Sequence, residues 1–105
     1  MGDPERAMAD YNKAIEVDPD HYPAYRNRGN LYAEKGDLNK ALADYDKSIE
    51  LNPKYPHAYY NRARLYFKMG QYDKSWADVH QSEALGPKAD PEFIEELKKA
   101  SGRES

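Results

Sequence analysis

The chain of 105 residues contains no cysteine and no long apolar run. Without cysteine it cannot form a disulfide framework, a thiolate metal site or a cysteine nucleophile. No stretch approaches the roughly 20 apolar residues that a helix needs to span a bilayer, so we expect no membrane insertion. The first residues, MGDPERAMAD, are acidic and lack the basic and then apolar layout of a secretory signal. These features favour a cytoplasmic location.

The sequence also lacks the motifs of common enzymes. It has no G-x-S-x-G, no glycine-rich phosphate loop and no HExxH. None of the three histidines has another histidine at the spacing that would place both on one helix face. We therefore expect no enzymatic activity, no cofactor and no metal. A net charge of −3 disfavours general binding to nucleic acid or anionic lipid.

Phenylalanine and tryptophan are scarce, whereas tyrosine is abundant. The chain has two phenylalanines, one tryptophan and ten tyrosines. Its mean hydropathy is −1.13, so few purely apolar side chains are left to fill an interior. A chain of this length fits one domain, whose core must use amphipathic tyrosine rings.

The sequence repeats itself with an offset of 34 residues. Residues 22–55 align with residues 56–89 without a gap, and 14 of the 34 positions are identical, from Ala24/Ala58 to Lys54/Lys88. Residues 3–21 match residues 37–55 at nine of 19 positions. Fixed self-similarity of this kind indicates a repeat architecture. The chain therefore contains the second half of one unit followed by two full units.

Each full unit predicts two helices and no strand. Apolar residues recur at helical spacing over Pro23–Lys35, and Pro23 and Pro56 suit the first turn of a helix. Gly36 and Gly70 suit left-handed stops after the first helix. The second helix of each unit is predicted to begin at Asp37 and at Gln71. Pro53 and Pro87 end the two units.

A 34-residue helix–turn–helix unit with this layout resembles the tetratricopeptide repeat. The family's signature positions fall on Tyr25, Gly29, Tyr32, Ala41, Tyr45, Ser48 and Pro53 in one unit. In the next they fall on Tyr59, Ala63, Tyr66, Ser75, Val79, Ser82 and Pro87, and in the half-unit on Ala7, Tyr11, Ala14 and Pro19. The resemblance implies an all-α solenoid of antiparallel helix pairs forming a right-handed superhelix, with about six helices. Small residues at Gly29 and Ala63 are expected to let paired helices approach closely.

We expect one domain, 1–105, in which residues 90–101 form a capping helix after the repeats. Asp90 can cap this helix, Pro91 fits its first turn, and acidic residues precede basic ones as the helix dipole favours. Phe93, Ile94 and Leu97 form its apolar face, and Trp76 is expected to pack against it. Residues 102–105 are expected to form a frayed tail.

Arginine and aspartate recur at fixed positions of the repeat. Arg28 and Arg62 correspond to each other, as do Asp10, Asp44 and Asp78. The arginines could face a groove. Repeated pairing with the aspartates explains both patterns without a ligand, and we favour that interpretation.

In tetratricopeptide folds the first helix of each pair lines the concave side, so the resemblance implies a peptide-binding groove. The candidate residues are Arg26, Asn27, Asn30, Tyr60, Asn61, Arg64, Phe67 and Lys68. Asparagine can hydrogen-bond an extended backbone, and arginine can bind carboxylates. We expect a protein or peptide partner that is acidic or bears a carboxylate. RNA binding through the rings and basic residues is a third and weaker hypothesis, because the basic area is small.

Self-association is the alternative function. The opening helix, about Pro4–Val17, has no first helix of its own to cover its stripe, and exposed apolar surface commonly marks an interface. Either the chain is a fragment of a longer array, or a second copy covers this stripe. In the second case we expect Met8, Tyr11 and Ile15 to pack on another copy, as a homo-oligomer or a helix-swapped dimer.

Overall fold

A computed structural model describes residues 3–105, which form six α-helices and, over that range, no strand. The helices are α1 (Pro4–Val17), α2 (Tyr22–Glu34), α3 (Leu38–Leu51), α4 (Pro56–Lys68), α5 (Tyr72–Leu85) and α6 (Pro91–Ser101). The contacts divide the chain into two compact units, with the division between Pro53 and Lys54. The first unit contains α1 to α3 and the second contains α4 to α6. The prediction of an all-α chain of paired helices is confirmed.

The helix ends follow from local chemistry. The Asp3 and Asp90 side chains accept hydrogen bonds from the backbone N–H groups of Glu5 and Glu92, so these aspartates cap α1 and α6. Gly36 and Gly70 adopt positive φ angles of 86° and 76°, as the sequence predicts. After each of these glycines the next backbone N–H returns to a carbonyl five residues earlier, which is the bond of a Schellman stop.

In the first unit, α2 and α3 are antiparallel and approach closely at Gly29. A Cβ atom placed on Gly29 would lie 2.7 Å from Cε1 of Tyr45 and 3.3 Å from the carbonyl oxygen of Ala41. Tyr45 is only 2% exposed, so its ring fills the space that the missing side chain leaves. The predicted role of Gly29 is therefore confirmed.

In the second unit, different residues form the same close contact between the paired helices. Ala63 takes the place of Gly29, and Val79 takes the place of Tyr45. Both are fully buried, and the hydroxyl of Ser75 donates to the carbonyl oxygen of Ala63 at 2.7 Å. A methyl group on the first helix fits here because the facing side chain is smaller.

Helix α6 covers the second pair with Phe93 and Leu97. Both residues are buried in one cluster with Trp76, so the predicted packing of Trp76 against this helix is observed. The indole Nε1–H of Trp76 also donates to the Ser101 hydroxyl at 3.0 Å. The segment between α5 and α6 is held by Glu83, whose carboxylate accepts from the backbone N–H of Ala89 at 2.9 Å.

The residues that follow α6 contact α5. Gly102 ends α6 with a positive φ angle of 72°. Arg103 then forms an ion pair with Asp73 at 2.8 Å, and its guanidinium lies 5.8 Å from the ring centroid of Trp76. These contacts tie the beginning of the tail to α5.

Substituting Gly29→Ala tests the close approach of α2 and α3. We expect the free energy of unfolding to fall by about 1–3 kcal/mol, because the added methyl group meets the Tyr45 ring. The double variant Gly29→Ala/Tyr45→Val, which copies the second unit, should lose less than the sum of the two single losses. Urea unfolding followed by circular dichroism measures the stability of Gly29→Ala, of Tyr45→Val and of the double variant. Strictly additive losses would contradict the proposed contact.

Candidate peptide-binding site

The candidate residues lie on two faces that correspond by the repeat. The α2 face consists of Arg26, Asn27 and Asn30, and the α4 face consists of Tyr60, Asn61, Arg64, Phe67 and Lys68. Each set has a spacing that places its members along one side of a helix. Arg64 and Lys68 are exposed, and the other six are half-buried.

The α2 face borders a cleft between α1 and α2 with a volume of about 340 Å³. Asn27 and Asn30 line one wall, and Ala7 and Tyr11 of α1 line the other. The side-chain oxygen of Asn30 accepts a hydrogen bond from the Tyr45 hydroxyl. Asn30 therefore has its amide nitrogen to offer a ligand, and its orientation is fixed by α3.

The aromatic members of the α4 face contribute to packing. The ring centroids of Tyr60 and Phe67 lie 5.8 and 5.6 Å from that of Phe93, both in edge-to-face geometry. The positions of Tyr60 and Phe67 in the repeat do not reveal this contact, because α6 lies outside the repeat. Both residues thus serve the core of the second unit as well as its surface.

Arg64 lies over these rings and remains accessible. Its guanidinium carbon is 6.0 Å from the Tyr60 centroid and 5.9 Å from the Phe93 centroid, within the range of a cation–π contact. Two rings therefore restrict the position of an exposed cation. Its guanidinium N–H groups can still bind a carboxylate in two-pronged fashion.

The two faces differ in charge. The α4 face carries Arg64 and Lys68, whereas the α2 face carries only Arg26, and neither face includes an acid. Positive charge is therefore concentrated on α4. In α6, Glu95 forms an ion pair with Lys98 at 3.7 Å.

A second cleft in the second unit adjoins the α4 face. Its volume is about 320 Å³, and it is lined by residues that include His57, Tyr60, Ser82 and Lys88. The Tyr60 hydroxyl is buried and has no hydrogen-bond partner in the described chain. A buried hydroxyl without a partner is costly, so a ligand or water that reaches it would be stabilised.

Arg28 and Arg62 face aspartates rather than a ligand. Two nitrogens of Arg28 donate to the two carboxylate oxygens of Asp44, both at 2.8 Å. Arg62 binds Asp78 in the same way, at 2.7 and 2.8 Å. The aspartates are 6% and 5% exposed. The hydrogen bond to Asp44 raises the pKa of Arg28 above its ordinary value, although burial works against the charge. The predicted structural pairing is confirmed.

Tyrosine rings complete the surroundings of each arginine. The Arg28 guanidinium lies 5.8 Å from the ring centroids of Tyr25 and Tyr32, and Arg62 is placed similarly near Tyr59 and Tyr66. These tyrosines precede the arginine by three residues and follow it by four, so they flank it on one helix face.

Replacing Arg62 by alanine should destabilise the protein. We expect a loss of about 2–3 kcal/mol, because Asp78 would be left buried without its partner. Lys13→Ala is the control, since Lys13 pairs with Glu16 on an exposed surface and should change the stability by less than about 0.5 kcal/mol. Thermal unfolding measures both. A loss of peptide affinity at unchanged stability would contradict the structural role of Arg62.

The predicted self-association residues lie on α1 and are half-buried. They are Met8, Tyr11 and Ile15. Helix α1 has no fully buried residue, and Val17 near its end is 72% exposed. Part of the apolar surface of α1 therefore remains in contact with solvent.

The described chain offers neither a metal site nor a membrane span. Over residues 3–105 no three side chains of histidine, aspartate or glutamate gather in a way that could hold a metal ion. Within the same range, none of the helices has the length and apolar character needed to cross a membrane.

Two sequence-family profiles match parts of the chain. Residues 29–70 match a sequence profile described as TPR repeat, and residues 10–43 match one described as tetratricopeptide repeat. Helix pairs that recur with a fixed period define the class of helical-repeat proteins. The chain belongs to the tetratricopeptide repeat family.

A solved structure shows the same fold. The crystal structure of a thermophilic TPR protein from Thermus thermophilus superposes with a TM-score of 0.78 at 27% sequence identity. The match covers 95% of this chain and 50% of that protein, so the chain spans about half of the length of its structural relative. A comparison with curated proteins finds no match.

Proposed function

We propose that the chain is a protein-interaction module that binds an extended peptide rich in acidic residues or bearing a free carboxylate. The α4 face is the main binding surface of this proposal. The α2 face, with Arg26, Asn27 and Asn30, is the corresponding surface of the first unit and adds hydrogen-bonding side chains. Family membership supports a protein partner, and the chemistry of the α4 face supports its acidic character.

The exposed guanidinium of Arg64 is the observation that carries the proposal. Its contacts with Tyr60 and Phe93 hold it in place, so less side-chain entropy is lost when a carboxylate binds. Lys68 lies four residues further along the helix and adds a second positive charge on the same side. Asn61 of the same face can donate to and accept from a peptide backbone.

The rings of the α4 face favour a peptide over RNA. Stacking of bases requires accessible aromatic faces. Tyr60 and Phe67 are half-buried and already contact Phe93, so little ring surface is available for stacking. The proposed module has no cofactor and no catalytic residue.

Calorimetric titration with matched acidic and basic peptides tests the proposed partner. The acidic peptide should bind, and Arg64→Ala should weaken that binding about tenfold through the lost charge-assisted hydrogen bonds. Asn61→Ala should weaken it less. The basic peptide should bind more weakly than the acidic one in every variant.

Arg103→Ala is the matched control for that titration. Arg103 also lies over an aromatic ring in the second unit, that of Trp76, but it is outside the α4 face. Its removal should leave the affinity within about twofold. Equal binding of both peptides, or indifference to Arg64→Ala and Asn61→Ala, would refute the proposal.

Self-association through α1 is the second candidate function. It is favoured by the half-buried Met8, Tyr11 and Ile15 and by the exposed Val17. In this proposal a second copy covers the apolar surface of α1 and thereby removes it from water.

Light scattering over a dilution series tests self-association. A dimer should dissociate as the concentration falls, and Ile15→Asp should shift the midpoint of dissociation to higher concentration because it places a charge in the apolar contact. Ala9→Asp, on an exposed position of the same helix, is the control. A monomer at every concentration would exclude this candidate.

A further inference from the structure

Two hydroxyl groups of the second unit have no hydrogen-bond partner among residues 3–105. The hydroxyl of Tyr60 is buried without one. Ser82 is only 4% exposed, and its side chain likewise makes no hydrogen bond over that range. Both residues line the cleft of about 320 Å³ in this unit, which we call the second-unit cleft. An unpaired buried hydroxyl is costly, so two such residues in one cleft indicate a place for a ligand.

Ser82 departs from the pattern of the repeat. Its counterpart Ser48 donates a hydrogen bond to the carbonyl oxygen of Tyr22 at 3.1 Å. The corresponding carbonyl in the second unit belongs to Pro56, and Ser82 does not donate to it. The Ser82 hydroxyl is therefore available to donate to a ligand.

Local contacts form the walls of the second-unit cleft in the free protein. The Pro56 ring lies so close to Gly86 that a Cβ atom on this glycine would be 2.8 Å from Cγ of Pro56. The Glu83 carboxylate accepts a hydrogen bond from the backbone N–H of Ala89, which fixes the segment between α5 and α6. The volume of the cleft lies within the usual range for small-molecule sites, which are largely formed before the ligand binds.

The lining of the cleft is largely apolar and has no net charge. Pro56, Pro87 and Ala89 provide apolar surface, and Lys88 and Asp90 are exposed charges of opposite sign. With histidine counted as neutral, the formal charges of the lining residues cancel. A negative ligand attracted by Lys88 would meet Asp90, and a positive ligand attracted by Asp90 would meet Lys88. This balance favours an uncharged ligand.

Rings around the cleft favour a flat aromatic ligand. Tyr60 lines the cleft, and its ring is held edge-to-face on Phe93 at 5.8 Å between centroids. His57 also lines the cleft, and its ring centroid lies 5.4 Å from that of Tyr55. Aromatic side chains bind other rings in offset or edge-to-face geometry. The volume of the cleft equals that of about ten water molecules in the liquid, which suits a single ring with one polar group.

We infer that the second-unit cleft binds a small uncharged aromatic amide. The amide carbonyl would accept hydrogen bonds from the hydroxyls of Tyr60 and Ser82, and the ring would contact the apolar lining. The amide N–H groups would donate to the Asp90 carboxylate, of which one oxygen already accepts from the backbone N–H of Glu92. This inference does not depend on the proposed acidic peptide, because Ser82 and Asp90 lie outside the α4 face.

Titration with three molecules of nearly equal shape tests the class of ligand. Benzamide is uncharged, benzoate is negative and benzamidinium is positive. Each is added to the intact protein while two-dimensional NMR follows the backbone amides. Benzamide should shift the signals of the cleft residues with a Kd of about 1 mM, as its size allows. Benzoate and benzamidinium should bind about tenfold more weakly, because each brings a charge next to one of like sign.

Removal of single hydroxyls tests the proposed contacts. Tyr60→Phe and Ser82→Ala should each weaken benzamide binding about fivefold, since each removes one hydrogen bond. Neither change should lower the melting temperature, because neither hydroxyl has a partner within residues 3–105. Tyr72→Phe is the control, since it removes a hydroxyl from the same unit outside the cleft. It should leave the Kd within about twofold.

The two proposed ligands can be tested separately. Ser82→Ala should leave the affinity for the acidic peptide unchanged, and Arg64→Ala should leave the affinity for benzamide unchanged. Failure of one proposal is therefore distinguishable from failure of the other. The inference would be wrong if benzamide caused no saturable shifts, or if benzoate bound more tightly than benzamide. It would also be wrong if neither Tyr60→Phe nor Ser82→Ala weakened the binding of benzamide.

Discussion

The contact between the two helices of each pair is the constraint on which this structure depends. A small residue on the first helix faces a larger one on the second. The arginine next to the small residue donates two hydrogen bonds to a buried aspartate. The pair Gly29/Tyr45 and the pair Ala63/Val79 fill similar space with compensating sizes. Ala63 is larger than Gly29, and Val79 is smaller than Tyr45. Because the arginine and the small residue are consecutive, one short segment sets both the distance between the helices and their register.

The second unit uses a single surface for packing and for the proposed recognition. Phe93 of the capping helix contacts Tyr60 and Phe67, and Arg64 lies over two of these rings. Helix α6 therefore also restricts the position of the cation proposed to bind a peptide. Variation in α6 would alter recognition without any change in the repeats.

Sequence reasoning predicts the features that recur with the repeat and those that follow from local rules. The glycine stops, the aspartate cap at Asp90 and the arginine–aspartate pairs all follow from local rules or from the period of 34. The contact of Phe93 with the α4 face does not, because α6 has no counterpart in the repeat. The bond from Tyr45 to Asn30 and the capture of the Ala89 N–H by Glu83 depend on side-chain directions that only the packed structure determines.

Arg28 has one more partner, and it links elements that are far apart in the sequence. In addition to Asp44 on α3, it donates to the side-chain oxygen of Asn12 on α1 at 2.9 Å. One guanidinium thus joins three helices of the first unit. Since α1 has no fully buried residue, this bond couples its order to that of the α2–α3 pair. Unfolding of the first unit is therefore cooperative, because detachment of α1 also disturbs the arginine that joins the other two helices.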